Sequence, residues 1–503
     1  MNPRAEVDSV RAAESVGRSE ESLDPEDWDA LRHLGHRMVD DVLEYLRTVR
    51  ERPVWKSPPD DVRARLRRPV PREPEGAEHA YRDFVQDVLP YPSGNIHPRF
   101  WGWVMGTGTP LTVLSEMLAA AVNPNVSGFD DGAVLVEEQV LAWLKELLGF
   151  PATARGLLVT GGSMANFVGL AVARHAGAAF DVRRLGQGGA ERRMTLYASR
   201  ETHNSVGRAV ELLGLGREAL RLVPVDRDYR VDLRALREAI AADRDAGFQP
   251  FAVVGNAGTV NTGATDDLPA LADLCEREKL WFHVDGAFGA LLALTPGLRS
   301  QVAGMERADS LAFDLHKWGY FPYEVGCTLV RDGARQREAF TAAADYLAPL
   351  DGGVAGRKDR FADYGPQLSR GFRALKVWMG LKAEGATKLG RVIEQNVLQA
   401  AHLAALVDGR PELERLAPVP MNIVCFRYVG ELPRTAGRKH DLDAQNRAIL
   451  VRLHEDGIAV PSYTMLGGRF ALRVAITNHR TRREDLELLV RETVRLGREM
   501  DAK

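Results

Sequence analysis

Between residues 156 and 330, short apolar segments alternate with helix-like segments, and this alternation constrains the fold more than any other sequence feature. Leu280–Val284 and Ser310–Phe313 have the length of buried strands, and a polar residue follows each. Such alternation is typical of a mostly parallel sheet covered by helices. We therefore predict an α/β fold in which the carboxyl ends of the strands share one edge and form a ligand site.

Two of these strand ends carry residues typical of amine chemistry. Leu280–Val284 runs into Asp285 and a series of small residues, and the next strand is followed by His316 and Lys317. A lysine between a histidine and a tryptophan is poorly placed for a solvated charge, and burial would lower its pKa towards that of a nucleophilic amine. Nucleophilic lysines form Schiff bases, most commonly with pyridoxal phosphate (PLP), whose ring nitrogen needs a carboxylate such as Asp285. A surface lysine is the alternative, and the upstream acid outweighs it.

Other strand ends add polar residues to the same edge. Gly162 and Ser163 follow a short strand and begin a helix, where backbone N–H groups can bind a phosphate. His203 follows the next strand, and a helix cap or core histidine is about as common in such a position. Thr259 ends a further buried strand. The sequence here has neither a Walker lysine nor a G-x-G-x-x-G motif, which argues against ATP and dinucleotides.

Aromatic residues are concentrated in the segment IHPRFWGWVMGTG. Phe100, Trp101 and Trp103 alternate with glycine there and could line a flat substrate pocket. For any one of them, a place in the core is the more common role.

Composition narrows the class of protein. The net charge of −3 gives no reason to expect binding to nucleic acid or to an anionic membrane. The three cysteines, Cys275, Cys327 and Cys425, lack paired spacing, which favours reduced thiols and no metal site. No apolar run has the length of a membrane span, and the first residues lack the apolar core of a leader. We expect a cytoplasmic protein.

The chain divides by composition into four parts. Residues 1–22 are polar and predict a disordered tail, and residues 23–84 predict a helical arm with one long apolar stripe. Residues 85–385 would form the large α/β domain and residues 386–503 a small α+β domain. The stripe of the arm either packs on its own domain or contacts a second subunit, and we favour the second arrangement, a homodimer.

The motifs together resemble a known family. HPRFWGW, GGSMAN, ETHNSV, GNAGTVNTGATDDL, FHVDGAFGA, DLHKW, LSRGFRALKVW and FALRVAIT occur in the order found in group II PLP-dependent amino-acid decarboxylases, which include aromatic-L-amino-acid decarboxylase. The resemblance extends from about Asp24 to the C-terminus. It implies a PLP enzyme of fold type I, an intertwined homodimer with active sites at the subunit interface.

The resemblance also implies residue roles. Lys317 would hold the cofactor covalently, Asp285 would face its pyridine nitrogen, and Ala287 and His203 would lie on opposite faces of its ring. The phosphate would be bound by Gly162, Ser163, His316 and Thr259. Family members often carry asparagine where this chain has Asp314, and an acid near a phosphate is unfavourable unless it points away or is protonated.

The chain departs from the family pattern in a glycine-rich loop before Asp363. The family places a tyrosine there as the proton donor to the substrate carbon, but counting along this sequence arrives at Arg360, and Tyr364 is the nearest tyrosine. Tyr364 is the candidate donor, with packing at the loop base as an equal alternative. The residues after the aromatic segment also differ from the family, which weakens any transfer of substrate preference.

The sequence thus predicts decarboxylation of an L-amino acid to an amine, with aromatic substrates slightly favoured by Trp101 and Trp103. Three alternatives stay open: oxidative decarboxylation and deamination to an aldehyde, decarboxylation of an acidic or diamino acid, and, more remotely, a non-catalytic PLP-binding scaffold.

Overall fold

The structure is a computed structural model that describes residues 21–341, 350–430 and 441–502. Most of the predicted disordered tail, residues 1–20, lies outside the described residues, as do residues 342–349, which include the start of the glycine-rich loop predicted over 346–363. The chain forms two compact units, residues 1–48 with 60–90, and residues 49–59 with 91–503. The predicted boundary at residue 385 lies inside the second unit and stays a prediction.

The first unit is helical over its described residues. Its long helix α1 (Trp28–Arg47) begins at Asp27, whose carboxylate accepts hydrogen bonds from the backbone N–H groups of Asp29 and Ala30. Helix α2 (Asp60–Arg65) and helix α3 (Ala77–Asp83) follow, and α3 continues into a π-helical turn, Phe84–Val88. Arg37 of α1 donates to Glu78 of α3, and Arg65 donates to both oxygens of Asp87. These ion pairs connect the short helices within the unit.

A seven-stranded sheet forms the centre of the second unit. Its strands are β2 (Arg155–Val159), β3 (Met194–Ser199), β4 (Leu220–Val223), β5 (Gln249–Asn256), β6 (Trp281–Asp285), β7 (Ser310–Asp314) and β8 (Gly326–Val330). Their order is β2-β8-β7-β6-β5-β3-β4, and β8 is antiparallel to both of its neighbours while the other pairs are parallel. The predicted α/β fold with a mostly parallel sheet is confirmed.

Helices precede, separate and follow these strands along the chain. They are α4 (Pro110–Val122), α5 (Gly132–Leu148), α6 (Gly162–Gly177), α7 (Val182–Leu185), α8 (Asn204–Leu212), α9 (Leu233–Asp245), α10 (Leu268–Glu278), α11 (Gly333–Phe340), α12 (Ala374–Glu384) and α13 (Ala386–Asp408). Side-chain caps fix where several begin, because Asp131, Asp232 and Asp267 accept hydrogen bonds from the first-turn N–H groups of α5, α9 and α10.

Both faces of the sheet are buried. Neighbouring residues of β5 show this, because Val253 belongs to one apolar cluster and Val254 to another. Side chains alternate across a strand, so two clusters on successive residues lie on opposite faces. The first cluster includes Leu141 of α5 and Leu271 of α10, and the second includes Leu170 of α6. A strand buried on both faces explains the nearly continuous apolar runs in the sequence.

A smaller mixed sheet follows in the C-terminal region. Its order is β1 (Phe100–Trp101), β11 (Val460–Leu466), β12 (Arg469–Ala475), β10 (Ile423–Tyr428) and β9 (Leu413–Arg415). Helices α14 (Leu442–Glu455) and α15 (Arg483–Asp501) belong to the same region. The aromatic segment thus supplies an edge strand, β1, that pairs in parallel with β11. Among the described residues, no helix has the length and apolar character needed to cross a membrane.

Candidate active site

The carboxyl ends of the central strands bring the predicted polar residues to one edge of the large sheet. In the parallel register, Asn256 at the end of β5 lies beside Asp285 at the end of β6, and Asp285 lies beside Ala312 of β7. Strand β7 ends two residues later at Asp314, and Lys317 follows in a turn. The fold therefore places Asp285 and the Asp314–Lys317 segment on neighbouring strands, as the sequence predicted for strand ends.

Asp285 is buried and hydrogen-bonded through both carboxylate oxygens. Its Oδ2 atom accepts a hydrogen bond from Nδ2 of Asn166 at 2.9 Å, and its Oδ1 atom accepts one from the backbone N–H of Ala287 at 3.1 Å. These two donors hold the carboxylate in a fixed orientation at the strand end.

Lys317 forms an ion pair with Asp314. The distance from Nζ of Lys317 to Oδ2 of Asp314 is 2.7 Å, and the Asp314 side chain is only 1% exposed. Burial alone would lower the pKa of Lys317, but the charge and hydrogen bond of Asp314, together with the charge of Asp285, raise this pKa. The expectation of a lowered lysine pKa is therefore wrong, because the sequence did not show that a buried acid lies against the amine.

His316 lies beside this ion pair as a neutral imidazole. Its Nδ1 atom accepts a hydrogen bond from the backbone N–H of Val325 at 3.1 Å, and its Nε2 atom is 3.7 Å from Oδ1 of Asp314. Burial lowers the pKa of His316. The ring of Tyr323 packs on this imidazole with a centroid separation of 4.4 Å.

His203 caps helix α8 from the end of the β3 connection. Its Nδ1 atom accepts a hydrogen bond from the backbone N–H of Ser205 at 3.2 Å and lies 2.8 Å from the Ser205 hydroxyl. Burial lowers the pKa of His203, while Asp285 opposes this shift. The capping role that the sequence left open is real, and it leaves the imidazole neutral, with Asp285 and Lys317 the nearest charges acting on it.

The N-terminus of α6 forms an anion cradle next to Asp314 and His316. Its cap residue Gly161 provides no side-chain hydrogen bond, so the first N–H groups of the helix are available to a ligand. A Cβ atom on Gly162 would lie 2.6 Å from Oδ2 of Asp314, and one on Gly161 would lie 3.0 Å from Cε1 of His316. Only glycine therefore allows this approach, and Ser163 is exposed on the same turn.

A buried acceptor beside the cradle points to a polar ligand. Oδ1 of Asp314 is buried and has no hydrogen-bond partner among the described residues. Its other oxygen faces Lys317, so the charge of the acid is balanced by the lysine. This pairing removes the objection that an acid near a phosphate raises. An amine, a carboxylate facing inward and an anion cradle at one sheet edge are the groups that PLP requires, and the residues fit this cofactor.

Two other predicted cofactor residues lie in loops at this edge. Thr259 follows β5, and its hydroxyl accepts a hydrogen bond from the N–H of Ala264 and lies 3.2 Å from the hydroxyl of Thr262. Ala287 follows β6, and its carbonyl oxygen accepts a hydrogen bond from the N–H of Asp314. Ala287 thus ties the ends of β6 and β7 together, and both residues' contacts with a cofactor stay predictions.

The three predicted pocket aromatics occupy different environments. Trp101 is 1% exposed, packs in the apolar cluster of the C-terminal region and donates from Nε1 to Thr481. Phe100 packs with Val460, whereas Trp103 is 60% exposed. The structure thus gives Trp101 a packing role, and the proposed substrate contacts of all three stay predictions.

The aromatic segment reaches the site through its backbone. A Cβ atom on Gly106 would lie 1.6 Å from the carbonyl oxygen of His316. The glycines of the segment thus bring its backbone, more than its aromatic rings, up to the cluster.

Tyr364 lies away from the other candidates. Its hydroxyl donates to Asp359 at 2.6 Å, and its ring lies beneath Arg155, with 5.3 Å from the guanidinium carbon to the ring centroid. Arg155 begins β2, whereas the cradle follows the last residue of β2. The predicted role of Tyr364 as proton donor therefore requires a movement of the loop and stays a prediction.

The sequence reasoning missed three residues that the structure brings to the cluster. Asn166 lies on the second turn of α6 and bonds Asp285, and His283 of β6 bonds Asn166. Tyr323, which is exposed on its other side, lies on His316. A polar residue in an otherwise apolar helix and a histidine inside an apolar strand were the available signals, because buried polar groups need partners.

The fold and the site together define a PLP-dependent enzyme of fold type I. Comparison with known proteins refines this class. The pyridoxal-dependent decarboxylase conserved domain matches residues 59–429. The chain belongs to this family, the group II PLP-dependent amino-acid decarboxylases, and is therefore a carboxy-lyase.

Individual relatives cover nearly the whole chain. An aromatic-L-amino-acid decarboxylase of Bacillus atrophaeus is 32% identical over 475 residues, which are 94% of this chain and 96% of the relative. A phenylacetaldehyde synthase of Arabidopsis thaliana is 29% identical over 90% of this chain and 93% of its own. The crystal structure of Oryza sativa TDC with PLP and tryptamine superimposes with a TM-score of 0.86 at 28% identity and covers 95% of this chain and 100% of that one.

Proposed function

We propose that this protein removes the carboxylate of an aromatic L-amino acid and releases the amine and carbon dioxide. The observation that carries the proposal is the convergence of Lys317, Asp285 and His203 at one sheet edge beside an anion cradle, in a chain of the decarboxylase family. The aromatic preference is supported by the relatives whose names specify aromatic amino acids.

The position of each residue at the sheet edge supports a separate role in cofactor binding. Lys317 would hold the aldehyde carbon of PLP, Asp285 would face its ring nitrogen, and the N–H groups of Gly162 and Ser163 would bind its phosphate. When bound, PLP supplies a sink for the electron pair left behind as carbon dioxide departs. Asp285 would face the protonated ring nitrogen, and two hydrogen bonds hold its carboxylate in place.

Asp314 holds the amine of Lys317 in place. The ion pair at 2.7 Å raises the pKa of Lys317 and favours its ammonium form. An ammonium group has no free electron pair, so Nζ must lose a proton before it can act as a nucleophile.

His203 would lie against the cofactor ring as a neutral imidazole. Burial lowers its pKa, so at neutral pH it adds no positive charge to the site. Its Nδ1 atom is held by Ser205, which fixes the ring orientation. A ring held in this way can orient the substrate and exclude water without supporting the sheet.

The residues of the glycine-rich loop support an aldehyde as a second candidate product. The chain carries Arg360 where the family places a tyrosine, and the Tyr364 hydroxyl is engaged by Asp359. A substrate carbon that is not protonated promptly is open to oxidation by molecular oxygen, which leaves as hydrogen peroxide, and hydrolysis by water then releases the aldehyde and ammonia. The similarity to a phenylacetaldehyde synthase supports this second candidate.

One assay separates these proposals. The purified protein with PLP is offered each of the common L-amino acids, and carbon dioxide, amine, aldehyde and peroxide are measured in parallel. We expect carbon dioxide from an aromatic amino acid, with amine as the main product. Equal amounts of aldehyde and peroxide in place of amine would establish the oxidative reaction, and carbon dioxide only from acidic or diamino acids would reject the aromatic substrate.

A homodimer in the cytoplasm completes the proposal. The apolar stripe on α1 is exposed in its own unit at Trp28, Leu31 and Met38, which supports a surface for a second subunit. The buried free cysteines Cys275, Cys327 and Cys425 fit a reducing compartment.

A further inference from the structure

We infer that Asn166 is a positioning residue that fixes the carboxylate of Asp285 and the imidazole of His203 relative to each other. The inference rests on the proposed cofactor site and adds a residue to it. Asn166 is fully buried on α6, and its Nδ2 atom donates to Oδ2 of Asp285 and to Oγ of Ser205, both at 2.9 Å. One amide group therefore contacts both Asp285 and the serine that holds His203.

The donor and acceptor in each hydrogen bond between Asn166, Ser205 and His203 can be assigned. The backbone N–H of Ser205 donates to Nδ1 of His203, so this nitrogen is an acceptor. The Ser205 hydroxyl, 2.8 Å from the same nitrogen, must then donate to it and accept from Asn166. Both amide hydrogens of Asn166 are thus committed, one to Asp285 and one through Ser205 to His203.

Asp285 fixes which way the amide of Asn166 points. A carboxylate oxygen accepts, so Nδ2 of Asn166 faces Oδ2 of Asp285, and Oδ1 faces Nε2 of His283 at 2.9 Å. Because a carbonyl oxygen only accepts, Nε2 of His283 carries the proton, and Nδ1 accepts from the hydroxyl of Ser310 at 2.8 Å. That hydroxyl accepts from Nε1 of Trp281 at 2.8 Å. A flipped amide would place its oxygen against the Asp285 oxygen. The chain of donors therefore permits one orientation.

The imidazole of His283 is enclosed by the packing of α6 on the sheet. His283 is fully buried in β6, and burial lowers its pKa to about 4, with Asp285 the charge that opposes the shift. The neutral ring packs directly on α6, because a Cβ atom on Gly169 would lie 2.7 Å from Cε1 of His283. The orientation of Asn166 is thus set by the packing of α6 on β6 and β7.

Without Asn166, the Asp285 carboxylate keeps, among the described residues, only the N–H of Ala287 as a donor, and the Ser205 hydroxyl loses the donor that turns it towards His203. Both groups that would face the PLP ring lose their restraint together. We therefore expect weaker cofactor binding and a changed ring environment, in addition to the loss of stability that any buried asparagine would cause.

The experiment titrates the full-length protein with PLP and follows absorbance and circular dichroism of the bound cofactor. Asn166→Ala should weaken PLP binding about tenfold or more, because hydrogen bonds to charged groups are among the stronger ones. Asn166→Asp keeps the shape but puts a second carboxylate against Asp285. One of two such carboxylates takes up a proton as the pH falls, which restores the donor. The affinity of Asn166→Asp relative to wild type should therefore rise as the pH falls.

Two further variants separate positioning from packing. Asn446 is also fully buried and makes three hydrogen bonds to the backbone in the C-terminal region, so Asn446→Ala should lower Tm and leave PLP affinity and dichroism unchanged. Ser205→Ala removes only the hydroxyl that connects Asn166 to His203. It provides the test if Asn166→Ala does not fold. It should change the dichroism of bound PLP with little loss of stability.

The outcomes are distinct. If both Asn166 variants bind PLP with the affinity, dichroism and pH profile of the wild type and lose only thermal stability, the positioning role is wrong while the proposed site stands. If the wild-type protein binds no PLP, the inference and the proposed site are both wrong.

Discussion

At the scale of single residues, the pair of Lys317 and Asp314 combines chemistry with stability. The lysine is the proposed attachment point of the cofactor, and it also neutralises a carboxylate that is 1% exposed. A buried charge without its partner is costly, typically about 3 kcal/mol or more. Replacement of the lysine therefore has two effects, which a second substitution can separate.

We predict that Lys317→Ala loses all turnover and the cofactor absorbance band and also unfolds about 3 kcal/mol more easily, because Asp314 is left unpaired. Lys317→Ala combined with Asp314→Asn should recover most of the stability and none of the turnover. Denaturant unfolding and carbon dioxide release measure the two effects. Residual turnover in either variant well above background would show that another residue does the chemistry.

His283 gives the protein a defined sensitivity to acid. Its folded-state pKa of about 4 lies below the ordinary value of 6.5, so between these values the unfolded chain binds a proton that the folded chain does not. The contribution of His283 to the free energy of unfolding is therefore fully present above this window and is lost as the pH falls through it. Near pH 5 the loss is about 2 kcal/mol.

We predict that His283→Gln loses stability at neutral pH and has a shallower decline towards acid than the wild type. The measurement is denaturant unfolding at about pH 7 and about pH 5. His97 and His479, whose pKa values burial also lowers to about 4, should supply the decline that remains. Equal slopes in the two proteins would mean that His283 does not titrate in this window.

At the scale of elements, α6 connects the anion cradle to the centre of the sheet. Its first residues form the cradle, its second turn carries Asn166, and its later turns pack on His283 and Ser310. Glycine at position 169 makes the close approach possible, because a Cβ atom there would lie 2.7 Å from His283 and 3.1 Å from Oγ of Ser310.

We predict that Gly169→Ala destabilises the protein by about 1–3 kcal/mol, because the added methyl group forces α6 away from β6 and β7. PLP affinity should fall with it, since Asn166 moves with the helix. Gly207→Ala in α8 is the matched control, because its methyl group would meet only Leu220 at 3.9 Å and alanine favours a helix. Thermal unfolding and PLP titration measure both variants. An unchanged Tm in Gly169→Ala would contradict tight packing of α6.

The turn Phe361–Tyr364 anchors the described end of the glycine-rich loop. Tyr364 is 6% exposed, and its carbonyl oxygen accepts a hydrogen bond from Gln336 while its hydroxyl donates to Asp359. These contacts give the phenol a structural place at the loop base.

For Tyr364→Phe we expect a loss of about 1 kcal/mol of stability from the broken hydrogen bond and an unchanged ratio of amine to aldehyde. The ratio is the decisive measurement, because the substitution removes one oxygen and keeps the ring packing. A marked rise in aldehyde and peroxide would establish the proton-donor role predicted from the sequence, with loop movement bringing the hydroxyl to the substrate.

At the scale of the whole molecule, we predict a homodimer of two 55.4 kDa chains. The exposed apolar stripe of α1 would contribute to its interface. Trp28→Ser with Leu31→Ser should weaken the dimer, because both side chains are exposed in the separate unit and polar replacements cannot bury well. Val451→Ser, an exposed apolar position on α14, is the control. Sedimentation velocity over a dilution series measures the change, and a monomeric wild-type protein would contradict the prediction.

The sequence by itself determined the sheet and the cofactor class. Period and length of the apolar runs are local properties, and the carboxyl ends of parallel strands must share an edge, so Asp285 and Lys317 could be placed together before any coordinates. The glycines of the cradle were a weaker signal, since a Gly-Gly-Ser turn before a helix predicts a phosphate site only in combination with Asp285 and Lys317 further along the chain.

Only the tertiary structure decided which buried groups face one another. Asp314 against Lys317, Asn166 against Asp285 and His283 depend on side-chain directions across different strands and a helix, and no local pattern encodes these pairings. For the same reason the lysine pKa was predicted in the wrong direction, because burial is readable from neighbours in sequence whereas a partner charge is not. The long-range hydrogen bonds, formed only when α6 packs on the sheet, set the electrostatics of the site.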